Sequence, residues 1–260
     1  MGGVSVPAAI DARAVGVTTL HGFARAPRIN GWIYGKLRGG VHGAVLEIGC
    51  GIGNLSRLIL DDVTQAGETA RAVFTDADPD ALAVLRAELG PAVATALITT
   101  WDLRDPPPPT VATRRFDTIV AVNVVEHLPD DLAVIRALAG LLRPGGALLL
   151  YVPACPLAFG ALDEALGHHR RYTRTSLQRL LADAGLVASR PRYMNRLGLL
   201  GWLWQAKLLG RRALAPALIA AFERVVPLAR LLDALTAPLP VGLGLVAQAR
   251  RPPADSGDGG

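Results

Sequence analysis

The sequence is poor in the residues that define several classes of protein. Two cysteines in 260 residues, Cys50 and Cys155, cannot build a disulfide framework. Both read as small reduced core residues, and the expected setting is cytoplasmic. The histidines and acidic residues show no His-Glu-x-x-His or cysteine-cluster spacing, so no metal site is expected. No Gly-x-Ser-x-Gly surrounds a serine, which argues against a serine nucleophile. No uninterrupted apolar run reaches the roughly 20 residues that a membrane-crossing helix needs. The opening "MGGVSVPAAIDARAVGV" lacks the basic n-region and compact apolar core of a secretory leader. Aromatics are only 5%, so the core must rest on Ala, Leu and Val. The formal net charge is +5, yet the arginines are scattered apart from pairs such as Arg170-Arg171 and Arg211-Arg212. Without a long basic run carrying interleaved aromatics, nucleic acid is not an expected partner. An anionic substrate or a membrane surface accounts for the charge equally well.

What is present alternates. "AVLEIG" is an apolar run of strand length, and "NLSRLILDDV" has helical spacing. "ARAVFTD" and "PDALAVLRAEL" repeat the pair, with Pro79 suited to a first helical turn. "ATALITT", "FDTIVAVN" and "ALLLYVP" read as further strands, "DDLAVIRALAGLL" as a helix, and "RPGG" as a turn. "RINGWIYGKL" reads as a short amphipathic helix ahead of them. The prolines of "DPPPPT" predict a surface loop. "SLQRLLADAGL" predicts a helix ending at Gly185, "VASRPRYMN" a sixth strand and "GLGLVAQARR" a last one. Strands apolar on both faces, alternating with helices, imply a parallel sheet covered on both sides. Right-handed crossovers then give an α/β, doubly wound, mostly parallel seven-stranded sheet, with ligands at the carboxyl ends of the strands.

The unusual residues cluster at those ends. Gly49, Gly51 and Gly53 lie between the first strand and its helix, where glycine permits a tight turn and close approach of backbone to ligand. A ligand-free turn is the plain alternative. Asp76 ends the second strand, where a carboxylate can accept two ribose hydroxyls, or cap the next helix. Asp102 ends the third strand, as a ligand acceptor or as a turn residue before Arg104. The G-x-G-x-G spacing, followed by Asn54, departs from the dinucleotide fingerprint, and no Walker lysine is present. Glu47 precedes the loop. A carboxylate there would repel a pyrophosphate but not an ammonium or sulfonium.

These residues resemble a known family. "VLEIGCGIGN", "VFTDADP", "FDTIVAVNVVEHLPD" and "LLRPGGALLLYVP" are similar, in order and spacing, to the motifs of class I S-adenosylmethionine-dependent methyltransferases, with their Rossmann-like fold. The later "LDEALGHHRRYTRTSL" and "PVGLGLVAQARR" resemble a bacterial branch of the type 11/12 methyltransferases. The resemblance implies S-adenosyl-L-methionine as cofactor and S-adenosyl-L-homocysteine as product. It implies that Gly49, Cys50, Gly51, Gly53 and Asn54 lie against the methionine and ribose portions, and that Glu47 serves the ammonium. Asp76 would hold the ribose, with Ala77 beside the adenine. Asp102 would accept from the adenine amino group, with Asp105 as a nearby competitor, and Leu103 would pack on the ring. Asn123, at the end of the fourth strand, would offer a backbone carbonyl to the methionine amine.

The acceptor side is less defined. A hydroxyl acceptor needs a base, and histidine suits that work near neutral pH. His168 is the candidate base or substrate anchor, and His127 a second catalytic candidate. A structural hydrogen bond from His168 to Asp163 is the alternative. His169 is expected to point elsewhere. Arg170 and Arg171 could bind a carboxylate or phosphate on the acceptor, and Tyr172 could line the pocket. The expected activity is methyl transfer to oxygen, hydroxyl or carboxylate, of a small molecule such as a natural product or biosynthetic intermediate. The alternatives are nitrogen or carbon of a lipid-linked or sugar acceptor, or a non-catalytic nucleoside-binding module.

Between the last two strands lies an insertion rich in Leu, Ala, Trp and Arg, expected to break at Pro216 and Pro227. It fits a lid over the acceptor, a homodimer interface, or a membrane-facing surface with Trp202 and Trp204 at the interface. The expected organisation is an N-terminal segment over 1–30, a cofactor-binding core over 31–195, the helical insertion over 196–240, the last core strand over 241–252 and a flexible tail over 253–260.

Overall fold

The computed structural model of the chain describes residues 21–65, 67, 72–213 and 215–253. Most of the expected N-terminal segment and of the tail lies outside them. The first helix, α1 (Pro27–Leu37), carries proline in its opening turn. Strands and helices then alternate: β1 (Val45–Ile48), α2 (Ser56–Gln65), β2 (Ala72–Asp76), α3 (Pro79–Leu89) and β3 (Ala96–Thr100). A short α4 (Pro109–Ala112), β4 (Phe116–Val122), α5 (Asp131–Leu141) and β5 (Leu142–Pro153) follow. Then come α6 (Ala161–Leu166), α7 (Arg174–Asp183), β6 (Val187–Ala188), β7 (Arg192–Met194), α8 (Arg196–Trp202), α9 (Pro216–Leu235) and β8 (Gly244–Arg250).

Local chemistry starts several of these helices. Asp78 accepts from the Asp80 amide at 2.9 Å ahead of α3, and Asp130 accepts from the Ala133 amide at 2.9 Å ahead of α5. Each satisfies an N–H that the helix itself cannot.

The sheet runs in the order β3-β2-β1-β4-β5-β8-β6, with β7 also paired to β8. The pairs β3-β2, β2-β1, β1-β4 and β4-β5 are parallel, and β8 is antiparallel to β5. Successive side chains of a strand point to opposite faces, and two apolar layers result. Val45, Phe74 and Val120 pack with α1, α2, α3 and α9 on one face. Leu46, Ile119 and Leu148 pack with α5 and α7 on the other. The order reverses between β1 and β4, and the crevice at that switch point holds the site.

Five expectations change. The sixth strand is broken into β6 and β7, whose register against β8 slips by one residue across Ser189–Pro191; Pro191 has no N–H to donate there. The last proline of "DPPPPT" opens α4 instead of remaining in a loop. The "RPGG" turn is an irregularity within β5, where the pairing jumps from Phe116↔Leu142 to Thr118↔Ala147. Helix α9 starts at Pro216 and continues unbroken through Pro227. The boundary drawn at residue 30 falls inside α1, and that helix is tied to the insertion. Glu223 on α9 accepts from the Arg28 and Ile29 amides at 2.6 and 3.1 Å.

Candidate active site

The loop after β1 is held from the end of β2. The Cys50 amide donates to the Thr75 carbonyl at 3.0 Å, and the Gly51 amide donates to Asp76 Oδ2 at 2.7 Å. Gly49 has φ +65°, and a Cβ there would stand 2.5 Å from Val124 Cγ2, so this turn needs glycine. A cavity of about 640 Å³ opens along the carboxyl ends of the strands beside the loop. Gly49, Cys50, Gly51 and Asn54 line it, and Gly53 does not. A Cβ on Gly53 would meet Leu85 Cδ1 at 2.4 Å. That glycine serves the approach of α3 to the loop, which corrects its assignment to the cofactor wall.

Three carboxylates face this half of the cavity. Asp76 also accepts from the Asp78 amide at 2.9 Å; burial raises its pKa despite these N–H bonds. Glu47 is buried and accepts from Ser56 Oγ at 2.6 Å. Burial pushes it up to about 7, against the Ser56 bond and with the Asp76 charge. Asp102 is forked by Arg104, Nη2 to Oδ2 at 2.5 Å, which holds its carboxyl below the usual range. Ala77, Trp101 and Leu103 form an apolar wall beside them. Asp105 is bound through its backbone: its carbonyl accepts from Trp101 Nε1 at 3.1 Å and its amide donates to the Asp102 carbonyl at 2.9 Å. Asn123 lies on the cavity at the end of β4 with φ +53°. Burial raises the Cys50 thiol pKa, so this cysteine lines the cavity as a neutral thiol.

The other half is built by the segment after β5. His168 Nδ1 lies 2.9 Å from Asp163 Oδ1. With that nitrogen donating, Nε2 carries the free lone pair. Asp163 has no exposed side-chain surface and also accepts from Arg171 Nε at 2.8 Å. Burial alone would raise its pKa; the bonds from His168 and Arg171 outweigh it and hold the carboxylate ionised. His127 faces the cavity with its ring edge-on to His168, centroids 4.7 Å apart. Desolvation and the neighbouring His168 push its pKa down to about 4, so it is neutral at pH 7. Behind both lies Glu126, fully buried, with neither oxygen hydrogen-bonded. Burial pushes its pKa up to about 8.

The neighbours of His168 diverge. Arg171 is buried against Asp163, donates to the Ala154 carbonyl at 3.0 Å and lies 4.4 Å from the centre of the Trp202 ring. It lines the cavity, but its charge is already engaged. Arg170 and Tyr172 are corrections. Arg170 is bound on the far side by the Pro129 carbonyl at 2.5 Å and Asp131 at 2.8 Å. The Tyr172 hydroxyl donates to Asp131 at 2.8 Å and its ring is core. His169 is among the residues that line the cavity, and its amide donates to the Glu126 carbonyl at 2.8 Å.

Sequence reasoning did not pick out Glu126 or Asp163 as working carboxyls, nor Trp202 as a cavity residue. The signal for the first two was their company, Glu126 beside His127 and Asp163 five residues before His168. Trp202, which one of the three readings of the insertion put at a membrane interface, stacks on Arg171. The insertion therefore supplies cavity wall, as does α1 through Ile29, Trp32 and Ile33.

Residues 34–188 match the family described as methyltransferase domain. The chain belongs to this methyltransferase family. Its relatives include the ubiquinone biosynthesis O-methyltransferase of Xanthomonas euvesicatoria pv. vesicatoria, 36% identical over 109 residues, covering 41% of each chain. The enzyme of the same name from Pseudomonas aeruginosa (strain LESB58) is 35% identical over 125 residues, 47% of this chain and 49% of its own. The methyltransferase chain thus spans less than half the length of these relatives. Among solved structures, an S-adenosylmethionine-dependent methyltransferase from Mesorhizobium loti superposes with TM-score 0.55 at 18% identity, over 85% of this chain and 98% of the other. A chain of the complex containing the Haloferax volcanii Trm112 methyltransferase activator gives 0.62 at 15% identity, over 95% and 100%. At such identities the likeness is one of fold, a mostly parallel sheet flanked by helices.

The cofactor of this methyltransferase family is S-adenosylmethionine, and the cavity suits it. Carboxylates at the ends of β1, β2 and β3 accept from hydroxyls, amines and ammonium. The cavity's two arginines, Arg104 and Arg171, are each neutralised by an aspartate. A pyrophosphate would meet acceptors where it needs donors. Among the described residues no helix is long and apolar enough to cross a membrane.

Proposed function

We propose that this methyltransferase transfers a methyl group to a hydroxyl oxygen of a small, largely apolar acceptor. The observation that carries the reading is the Asp163–His168 pair, which leaves a basic nitrogen at the cavity wall. A carboxylate acceptor needs no proton removed, whereas a hydroxyl does. The names of the relatives, O-methyltransferases, agree with oxygen.

S-adenosylmethionine supplies an activated methyl group on a sulfonium centre. Asp76 would hold the ribose hydroxyls and Glu47 the ammonium end, with Gly49, Cys50, Gly51, Asn54 and Asn123 framing the chain between them. Ala77 and Leu103 would pack on the adenine beside Asp102. At the other end, His168 accepts the acceptor's proton through Nε2 while Asp163 fixes its tautomer and stabilises the imidazolium. His127, neutral, can donate or accept a hydrogen bond to orient the acceptor. Trp202 and the α1 residues exclude water.

A screen of phenols and other hydroxylated acceptors with labelled methyl donor tests the reading. Activity should fall at least 100-fold in His168→Ala. Undiminished transfer at pH 7 in that variant would remove the base.

We further propose that the acceptor is lipid-soluble and met at a membrane surface. On α9, Leu228, Leu231 and Leu235 are 60%, 55% and 74% exposed, with Arg224 and Arg230 on the same helix. Vesicles containing anionic lipid should sediment the protein, and L228E/L231E should abolish that sedimentation; equal recovery of both proteins in the supernatant would rule it out.

A further inference from the structure

Asn195 stands where three strands bring the chain to the acceptor half of the cavity. Met194, the last residue of β7, pairs with Gly244 of β8, and Gly244 pairs with Pro153, the last residue of β5. Two strand spacings, roughly 10 Å, therefore separate Asn195 from the start of the segment that carries His168. Asn195 is 7% exposed and lines the cavity. The mechanism above gives it no task.

Its backbone is fixed on both sides. The Asn195 amide donates to Asp233 Oδ2 at 2.6 Å, and its carbonyl accepts from the Leu199 and Leu243 amides at 3.1 and 3.2 Å. Asp233, buried on α9, also accepts from the Arg196 amide at 3.1 Å and pairs with the Arg196 guanidinium at 3.2 Å. Asn195 has φ +61°, a conformation that asparagine adopts more readily than most residues. The side chain is fixed too. Oδ1 accepts from the Gly198 amide at 2.9 Å as the cap of α8. A Cβ on Gly198 would lie 2.4 Å from Oδ1 and 2.5 Å from Nδ2, so glycine is what leaves room for the amide. Nδ2 is left over. It has no hydrogen-bond partner among the described residues, and unlike Trp202 Nε1 it is not sealed from the cavity. A donor held in one direction, on a side chain more than nine-tenths buried, is costly until an acceptor meets it.

We propose that Asn195 determines acceptor specificity, its Nδ2 donating to an oxygen that the acceptor carries in addition to the hydroxyl to be methylated. A neutral amide N–H suits a hydroxyl, carbonyl or ether oxygen. The assignment deepens the proposed O-methyl transfer and rests on it. With His168 Nε2 taking the reacting hydroxyl and Asn195 the second oxygen, two separated polar contacts orient an otherwise apolar molecule. An acceptor that lacks the second oxygen buries Nδ2 unpaired, and that cost is the discrimination. Asp233, Arg196 and Gly198 act through Asn195 and are positioning residues.

Naphthalenediols carry a second hydroxyl that 1- and 2-naphthol lack, at nearly the same size. The full chain, saturated with S-adenosylhomocysteine, should bind at least one diol about 10-fold or more tighter than either naphthol in calorimetry. With the methyl donor present, that diol should show the higher kcat/KM. Asn195→Asp keeps the cap and the left-handed backbone but puts an acceptor in place of the donor. Asn195→Gly keeps the backbone and removes the amide, and it serves if the buried carboxylate of the first variant prevents folding. Gly198→Ala retains Asn195 and displaces its amide. In each folded variant the preference for the diol should shrink about 10-fold or more. A parent that binds no diol more tightly than the naphthols, or a preference undiminished in the Asn195 variants, would overturn the assignment. A preference kept in Gly198→Ala would strip Gly198 of its positioning role. Diol preference in binding, lost in the Asn195 variants but without methylation of any hydroxyl, would instead refute O-methyl transfer and leave the Asn195 contact standing.

Discussion

The Asp76 carboxylate accepts the Gly51 N–H at 2.7 Å, so the end of β2 grips the loop leaving β1. One side chain therefore both shapes the glycine turn and faces the ligand cavity. Asp76→Ala should weaken S-adenosylhomocysteine binding by about 1–3 kcal/mol. It should also lower the melting temperature, because the Gly51 and Asp78 amides lose their acceptor. Calorimetry on the folded variant checks this; parental affinity would show that the carboxylate has only the structural task.

Glu47 makes the cofactor end pH-sensitive. Its folded pKa of about 7 lies above the ordinary 4.5, so the folded protein retains a proton that the unfolded chain has lost between those values. Stability from this group is full below about pH 4.5 and declines as pH rises towards 7, by on the order of 3 kcal/mol. Glu126, raised to about 8, adds the same sign over a window reaching higher. Glu47→Gln should flatten the decline and raise stability at pH 8. Cofactor affinity should move oppositely in the parent, strengthening as Glu47 ionises beside the ammonium. Denaturant midpoints and binding isotherms from pH 5 to 8 measure both; parallel pH profiles in parent and variant would remove Glu47 from the account.

Gly53 separates turn chemistry from ligand contact. It has φ +93° and would press a Cβ onto Leu85, yet it does not reach the cavity. Gly53→Ala should cost about 1–3 kcal/mol of stability and leave S-adenosylhomocysteine affinity of the folded fraction unchanged. A lost affinity at parental stability would return Gly53 to the cofactor wall.

Arg170 and Arg171 are adjacent but should respond differently. Arg171→Ala strands the Asp163 carboxylate in the interior and should cost about 3–5 kcal/mol. Arg170 is partly solvated, and Arg170→Ala should cost about 1 kcal/mol or less. Urea denaturation of the two variants checks the contrast, and equal losses would contradict it.

The insertion was legible as helical, and its strand partners as a sheet edge, because apolar spacing is a local property. Its contribution to the site was not. Trp202 and Trp204 are two residues apart on α8 and its continuation, where i and i+2 face different ways. Trp202 stacks on Arg171, while Trp204 is 57% exposed. Which of the pair turns inward depends on how the helix docks, not on its composition.

By itself the sequence determined the alternation of strands and helices, the glycine turn after β1, and the carboxylates at the ends of β1, β2 and β3. Each of these follows from backbone constraints or apolar period over a few residues, and so can be read along the chain. The tertiary structure alone decided the acceptor end. Glu126 and His168 are 42 positions apart in number, and nothing periodic links them; they meet because β4 and β5 are neighbours and the chain after β5 folds back over the crevice. The segment from Gly167 to Thr173 is neither helix nor strand for most of its length, so its successive side chains follow no repeat. Their directions are set by the carboxylates that bind them: Asp163 holds His168 and Arg171 at the cavity, and Asp131 holds Arg170 and Tyr172 away from it.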